Sequence, residues 1–97
     1  MKKKGDKKWE GTEALGTVLL RADGFDSCVI GLGRKGNEWT IVYDEDKVIG
    51  LLCDRDDMAL SEARDFFESN IASAYVGEGT PTFVRIMNLD RIIDATK

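Results

Sequence analysis

The chain has 97 residues, of which 42% are hydrophobic, and this length suits one domain with one core but is too short for two. It carries 14 Lys plus Arg, 18 Asp plus Glu and no His, for a net charge of −4. The absence of His removes the commonest general base and the usual partner of a Ser or Cys nucleophile. The composition therefore favours a small acidic domain that is not an enzyme.

Charge is unevenly distributed along the chain. The first eight residues hold five lysines and one aspartate, so residues 9–97 carry nine basic and seventeen acidic side chains, a net charge of −8. Because blocks of like charge commonly stay disordered, the sequence predicts a flexible basic arm over residues 1–11 and a single domain over 12–97. Such an arm could also attract nucleic-acid phosphates by counterion release, independently of nucleotide sequence. Its lysines are Lys2, Lys3, Lys4, Lys7 and Lys8.

The cysteines and the apolar runs bear on the cellular compartment. Cys28 and Cys53 each lie in an apolar run without C-x-x-C spacing, which is typical of small core residues in a reducing compartment. No apolar stretch approaches the roughly 20 residues that span a bilayer, and the lysine-rich start lacks the apolar segment of a signal peptide. We therefore expect a cytoplasmic protein with no membrane partner.

Residues 12–22 leave two alternatives open. Apolar residues recur there at the i, i+3, i+4, i+7 spacing of a helix: Leu15, Val18, Leu19 and Ala22. Gly16 and the β-branched Thr17 that follows it have poor helix propensity, so a strand over 17–21 is the alternative.

Two apolar runs rich in β-branched residues follow, and both predict strands. The first covers residues 27–32 and the second 39–43, with the polar segment 33–38 predicted as a hairpin loop of about six residues. Glycines at 31, 33 and 36 match G-x-G-x-x-G, but a dinucleotide site needs that turn to open a helix, whereas here a strand follows. The segment is therefore predicted as a loop in which Arg34 and Lys35 could touch a phosphate or an acidic partner.

Two consecutive helices are predicted next. Asp44 is placed to cap the first, which has acidic residues in its first turn and ends near Asp54. The second covers residues 60–75 and is predicted to end at Gly77, because only glycine takes the left-handed conformation without steric cost. Its apolar residues recur on one face: Leu60, Ala63, Phe67, Ile71 and Ala74.

The C-terminal part adds a strand and a short helix. Pro81 precedes a third strand over residues 82–87, and Asn88 is predicted to cap a last turn through Ile93. Leu89, Ile92 and Ile93 would form an exposed apolar patch unless they are covered. The order of elements predicts a small α+β domain with about three strands in one antiparallel or mixed sheet and two consecutive helices on one face.

Two groups of acidic residues could form a cation site. Their positions and spacing in the sequence argue against one. Residues 44–46 and 54–57 could supply oxygen ligands for Mg²⁺ or Ca²⁺. The first group lies where helix capping places acidic residues, and the second lacks the ligand spacing of a calcium loop. We expect neither a metal ion nor a cofactor.

The candidate binding site is the glycine-rich loop before the third strand. Asn70 lies beside the apolar helix face, where a buried amide needs hydrogen-bond partners, and Glu78 lies between two glycines that leave its carboxylate unshielded. A purely structural turn is the alternative. The predicted binding residues are Asn70, Tyr75, Gly77, Glu78, Gly79 and Thr80.

Several short segments form a recognisable set: Asp23-Gly24-Phe25-Asp26, Val42-Tyr43-Asp44, Asn70-Ile71, Ala74-Tyr75-Val76-Gly77-Glu78, Thr80-Pro81 and Phe83-Val84. Together they resemble small uncharacterised proteins encoded by bacteriophages and some bacteria. The resemblance covers about residues 20–86, and its most specific part is the segment from residue 74. It implies a phage-type origin and carries no activity with it.

These observations favour a non-enzymatic protein-binding module that self-associates as a homodimer and engages a host protein. Two alternatives stay open. One is a nucleic-acid-associated protein that uses the lysine arm, and the other is a small carboxylate-dependent enzyme or ligand-binding protein at the Glu78 loop.

Overall fold

The computed structural model describes residues 9–14, 17–74 and 79–96, and within them the chain forms a small α+β domain. Its strands are β1 (Trp9–Ala14), β2 (Thr17–Ala22), β3 (Val29–Lys35), β4 (Glu38–Asp44) and β5 (Thr82–Val84). Its helices are α1 (Glu45–Arg55), α2 (Leu60–Phe66), which continues as a π-helical turn over Phe67–Ala72, and α3 (Leu89–Ala95). A short 3₁₀ turn covers Asp26–Cys28.

The main sheet is mixed, with strand order β3-β4-β5. β3 and β4 are antiparallel, whereas β4 and β5 are parallel, with Tyr43 opposite Phe83. Parallel neighbours require a long crossover, and here α1, α2 and the π-helical turn supply it. The predicted fold class, a mixed sheet with two consecutive helices on one face, is confirmed.

The β3–β4 hairpin is tighter than predicted. Lys35 pairs with Glu38, so only Gly36 and Asn37 form the turn, and the predicted six-residue loop is wrong. Gly36 has φ +61°, and glycine at the first of two turn positions is the pattern of a type II′ turn, whose twist matches that of the flanking strands. Residues 33–35 therefore belong to β3. The geometry of the two-residue turn determines where the strand ends, and the polar composition of these residues does not.

The helix predicted over residues 12–22 is also wrong, and the alternative strand is correct. β1 and β2 form a separate antiparallel pair in which Ala14 lies opposite Thr17. The poor helix propensity of the β-branched residues that open β2 prevails over the apolar spacing. Residues 9–11, predicted as the end of the basic arm, lie in β1.

The core lies between the sheet and the crossover helices. On β4, Ile41 and Tyr43 face the helices, and Tyr43 is fully buried together with Phe67 of the π-helical turn. Phe83 of β5 lies between them, with its ring 5.4 Å from that of Tyr43 and 5.2 Å from that of Phe67. The Tyr43 hydroxyl accepts a hydrogen bond of 2.8 Å from the N–H of Ala22, which joins β2 to this core.

The C-terminal strand is shorter than predicted, because β5 ends at Val84 rather than near residue 87. Arg85 instead turns towards the start of α1, where its Nε donates to Glu45 at 2.8 Å. The predicted cap of the last helix is confirmed, since the Asn88 Oδ1 accepts from the N–H of Arg91 at 2.9 Å. No residue of α3 is buried.

Candidate functional site

The structure describes only the end of the predicted loop site. Tyr75, Gly77 and Glu78 lie outside the described residues, so their role as ligand contacts stays a prediction. Gly79 has φ +83°, and its carbonyl accepts a hydrogen bond of 3.2 Å from the N–H of Leu20. Thr80 is half-buried and Pro81 is buried. The described end of the loop is thus hydrogen-bonded to β2 shortly before the chain enters β5.

Asn70 is exposed, which differs from the burial predicted for its amide. One of its hydrogen bonds runs from Nδ2 to the carbonyl of Phe66, at 3.3 Å and one turn back in its own helix. A π-helical turn holds more residues per turn than an α-helix, so Asn70 is rotated further from Phe67 than α-helical spacing predicts. The Asn70 side chain therefore lies at the surface.

A small pocket of about 160 Å³ lies between the 23–25 turn, α1 and the π-helical turn. Phe25, Leu52 and Ile71 contribute its apolar lining, and Arg55 and Asp56 contribute its polar part. A volume near 150 Å³ holds a ligand of about benzene size. The pocket is therefore large enough only for a very small molecule.

Arg55 has a structural role beside that pocket. It donates to Asp56 from Nε at 3.0 Å and from Nη2 at 3.1 Å, and to the Gly24 carbonyl from Nη1 at 2.8 Å. Its guanidinium also lies 4.9 Å from the Phe25 ring centre. The hydrogen bonds between the two side chains raise the pKa of Arg55 and lower the pKa of the Asp56 carboxyl. The raised pKa makes Arg55 a poorer acid and the lowered pKa makes Asp56 a weaker base, so the pair is better suited to holding the turn than to proton transfer.

Two buried groups that can act as nucleophiles are held neutral. Burial raises the pKa of the Cys28 thiol and the pKa of the Tyr43 hydroxyl. The reactive form of a cysteine is the thiolate, and activation needs a lowered pKa in an exposed, electropositive setting. Neither group has that setting, so both serve the core.

The predicted acidic groups take part in helix capping and ion pairs. The Asp44 Oδ1 accepts from the N–H groups of Asp46 and Lys47, at 3.0 and 3.3 Å. The carboxylate of Glu45 pairs with Arg85 at 2.8 Å. In the part of the chain that the structure describes, no three Cys, Asp or Glu residues come together as a possible metal site.

The glycine motif serves the β3–β4 hairpin. Gly31 and Gly33 lie on β3, and the element that directly follows Gly36 is the strand β4. A Cβ added to Gly33 would lie 2.8 Å from the Val42 Cγ2, so a side chain there would force the Val42 side chain to move. The spacing therefore reflects close packing and a tight turn, and the nucleotide-binding geometry is absent from this segment.

Two exposed apolar surfaces stand out on the molecule. The α3 surface consists of Leu89, Ile92 and Ile93, which are 68%, 43% and 48% exposed, and Ile86, just before the helix, is 66% exposed. The second is the β3 edge, the outer side of β3, where Val29, Ile30 and Leu32 are 38%, 43% and 45% exposed. The sequence predicts the first from helical spacing. It misses the second because a short apolar run predicts a buried strand, and only the strand order shows that β3 lies at an edge.

No helix in the described ranges is long and apolar enough to cross a membrane. No family model, curated protein or solved structure matches the chain. The resemblance to small phage proteins therefore stays an expectation, and the two exposed surfaces carry the functional argument.

Proposed function

We propose that the chain is a non-enzymatic protein-binding module that forms a homodimer through the α3 surface. The observation that carries this proposal is the exposure of four large apolar side chains in one short segment, which begins two residues before the Asn88 cap. Contiguous exposed apolar patches on soluble domains commonly mark protein interaction sites.

The arrangement of α3 supports a partner on its outer side. Leu89, Ile92 and Ile93 have i, i+3, i+4 spacing and share one helix face. Arg91 lies away from that face and lines a cleft of about 300 Å³ with Asp46 and Ile49 of α1. The helix thus directs a cation towards the body and its apolar face towards solvent. Each fully covered side chain of this size contributes about 1.5–3 kcal/mol.

A second copy is the simplest occupant, because a twofold axis brings the same apolar face against itself. The lack of an activated group among the described titratable residues supports a binding role over a catalytic one. Cys28 and Tyr43 are buried and neutral, and Arg55 and Arg85 are engaged in ion pairs.

Sedimentation equilibrium from micromolar to millimolar concentration tests the dimer. We expect the wild-type chain to associate, and the double variant Ile92→Ser, Ile93→Ser to remain a monomer with its fold intact. Leu60→Ser is the matched control, because Leu60 is 54% exposed but lies on α2. A wild-type monomer throughout this range, or a double variant that still associates, contradicts the proposal.

The proposal includes a phage-encoded origin and a host protein as partner. Its support is the resemblance over about residues 20–86 together with the net charge of −8 on residues 9–97. The genomic neighbourhood of the coding sequence tests the origin. A position among chromosomal housekeeping genes, far from any prophage, contradicts it.

A second candidate function, nucleic-acid association, is favoured by the five lysines in the first eight residues. Binding to a duplex of arbitrary sequence is expected to fall steeply with added salt and to disappear when residues 1–8 are deleted. No binding at low salt removes this candidate.

A further inference from the structure

Among the described residues, β3 lies at one edge of the main sheet. The strand order β3-β4-β5 gives β3 one pairing partner among the described residues, so alternate backbone N–H and C=O groups point away from the sheet. Proteins usually protect such edges with proline, charged side chains, β-bulges or very short strands. β3 has seven residues and no proline; its register shift lies between Val29 and Gly31 at one end and its charged residues lie at the other, so the protection is confined to the two ends.

The side chains of the β3 edge leave room for an added strand. Its first five residues are uncharged, and its three apolar side chains are more than one-third exposed. A Cβ at Gly31 would meet no atom within 4 Å, so no described residue covers the sheet face at this position. A strand pairing there would gain backbone hydrogen bonds and cover Ile30 and Leu32.

Two cations lie at the hairpin end of this edge. In residues 17–74 and 79–96, neither Arg34 nor Lys35 has a carboxylate within 4.0 Å, and Arg34 instead lies 5.2 Å from the Trp39 ring centre. They contrast with the net charge of −8 on residues 9–97. This end of the edge is therefore a local site for negative charge on an otherwise acidic body.

The face of the sheet opposite the helices adjoins this edge, on the other side of the sheet from Leu32, which lies opposite Ile41. Lys35 and Glu38 border a groove of about 430 Å³ that is lined by Val42 and Val84. The hydroxyls of Thr40 and Thr82 share a hydrogen bond of 2.7 Å across the strands in this groove. Because side chains alternate along a strand, an added strand would direct every second side chain to this face.

We propose that the β3 edge binds an extended acidic segment of a partner protein by strand addition. The segment pairs antiparallel to β3, with its carboxylates beside Arg34 and Lys35. This surface is separate from the α3 surface, so the proposal does not depend on the dimer.

Charge favours an acidic partner over a second copy at this edge. Two β3 strands paired antiparallel about Leu32 would place Arg34 opposite Ile30 and Lys35 opposite Val29, which leaves the cations without counter-ions. Nucleic acid would satisfy the cations but not the row of backbone donors and acceptors or the apolar side chains. An acidic peptide strand supplies carboxylates for the cations, hydrogen-bond partners for the backbone groups and cover for the apolar side chains.

The test is an NMR titration of the full ¹⁵N-labelled chain. The probe is a capped seven-residue peptide that begins with two aspartates and continues with alternating valine and threonine. We expect amide shifts concentrated on residues 29–35, at least tenfold weaker binding when lysines replace the aspartates, and loss of binding when alternate peptide nitrogens are methylated. Methylation removes the hydrogen-bond donors that strand addition requires.

A matched pair of variants separates the effect of charge at the β3 edge on peptide binding from the effect of the net charge of the protein. Lys35→Glu and Lys47→Glu make the same change in net charge at exposed lysines, but Lys47 lies on α1. We expect the first to weaken peptide binding at least tenfold and the second to leave it unchanged. Equal effects of the two variants overturn the proposal, because they would show that only overall charge matters.

Other outcomes also overturn it. The proposal fails if no amide shifts at millimolar peptide, if the shifts map to α3, or if the N-methylated peptide binds equally well. It also fails if a single-stranded oligonucleotide displaces the peptide, or if the β3 amides shift with protein concentration alone. Repeating the titration with the Ile92→Ser, Ile93→Ser monomer keeps this result distinct from the fate of the α3 dimer.

Discussion

The crossover unit from β4 to β5 and the C-terminal helix α3 use similar sequence patterns with opposite results. Both α1 and α3 begin at a side-chain cap, formed by Asp44 and Asn88, and both carry apolar residues at helical spacing. In α1, Val48, Ile49 and Leu52 are buried, whereas no residue of α3 is buried. An amphipathic pattern thus specifies a helix and its apolar face, but only the surrounding chain decides whether that face is covered.

The largest expected effect compares a buried and an exposed side chain within the crossover unit, at two adjacent phenylalanines. Phe67 is fully buried between the sheet and the helices, whereas Phe66 is 37% exposed. Phe67→Ala is expected to lower the free energy of unfolding by about 3–5 kcal/mol, because it leaves a cavity in the core. Phe66→Ala is expected to cost about 1 kcal/mol. Urea denaturation measures both, and equal losses would contradict the assigned core.

The next effect concerns the Tyr43 hydroxyl. Tyr43→Phe leaves the N–H of Ala22 without its acceptor in a buried position, which is expected to cost about 1–3 kcal/mol. Urea denaturation at neutral pH measures the loss. An unchanged free energy of unfolding would mean that this bond does not tie β2 to the core.

The same variant predicts a pH dependence. Burial raises the pKa of Tyr43 above its ordinary value of 10.0, so the unfolded chain loses this proton at lower pH than the folded chain. The stabilisation is therefore complete below about pH 10 and is lost as pH rises through the folded pKa. Wild-type stability is expected to fall more steeply than that of Tyr43→Phe above about pH 10. Parallel curves would contradict the raised pKa.

The smallest effect compares the two helix caps directly. Asp44→Ala removes the acceptor for two N–H groups of α1 and is expected to cost about 0.5–2 kcal/mol in global unfolding. Asn88→Ala removes one such acceptor from α3, whose loss is expected to change global unfolding by less than about 0.5 kcal/mol. Amide exchange at Arg91 should nevertheless accelerate, because α3 opens locally. Equal global costs would show that α3 belongs to the cooperative core.

Local chemistry explains which elements could be predicted from the sequence. The caps at Asp44 and Asn88, the strand around Tyr43 and the buried face of Phe67 and Ile71 follow from propensity and periodicity, which act within a few residues. The errors occur where two local signals compete. In β2, apolar residues at helical spacing conflict with β-branched residues, and at Gly36 a polar run conceals a two-residue turn.

The two exposed surfaces also show that patterns acting within a few residues predict only local features. The α3 surface was predicted, because the helical spacing of Leu89, Ile92 and Ile93 places them on one face within a few residues of sequence. The β3 edge was not predicted, because the exposure of Ile30 and Leu32 depends on β5 pairing with β4 on the far side. Sheet order is set by contacts between distant segments, and no pattern within residues 27–32 reports it.

The parallel pairing of β4 and β5 also has a consequence for how the molecule assembles. Thr40 and Thr82, whose hydroxyls meet in this pair, are 42 residues apart in the sequence, whereas β3 and β4 are joined by a two-residue turn. The chain entropy lost in closing the longer loop is repaid only when the crossover helices have packed. We therefore expect the β3–β4 hairpin to form early, with the unpaired side of β4 exposed to solvent until β5 pairs with it. The short β5, arriving last, closes an edge that would otherwise be free to pair with another chain.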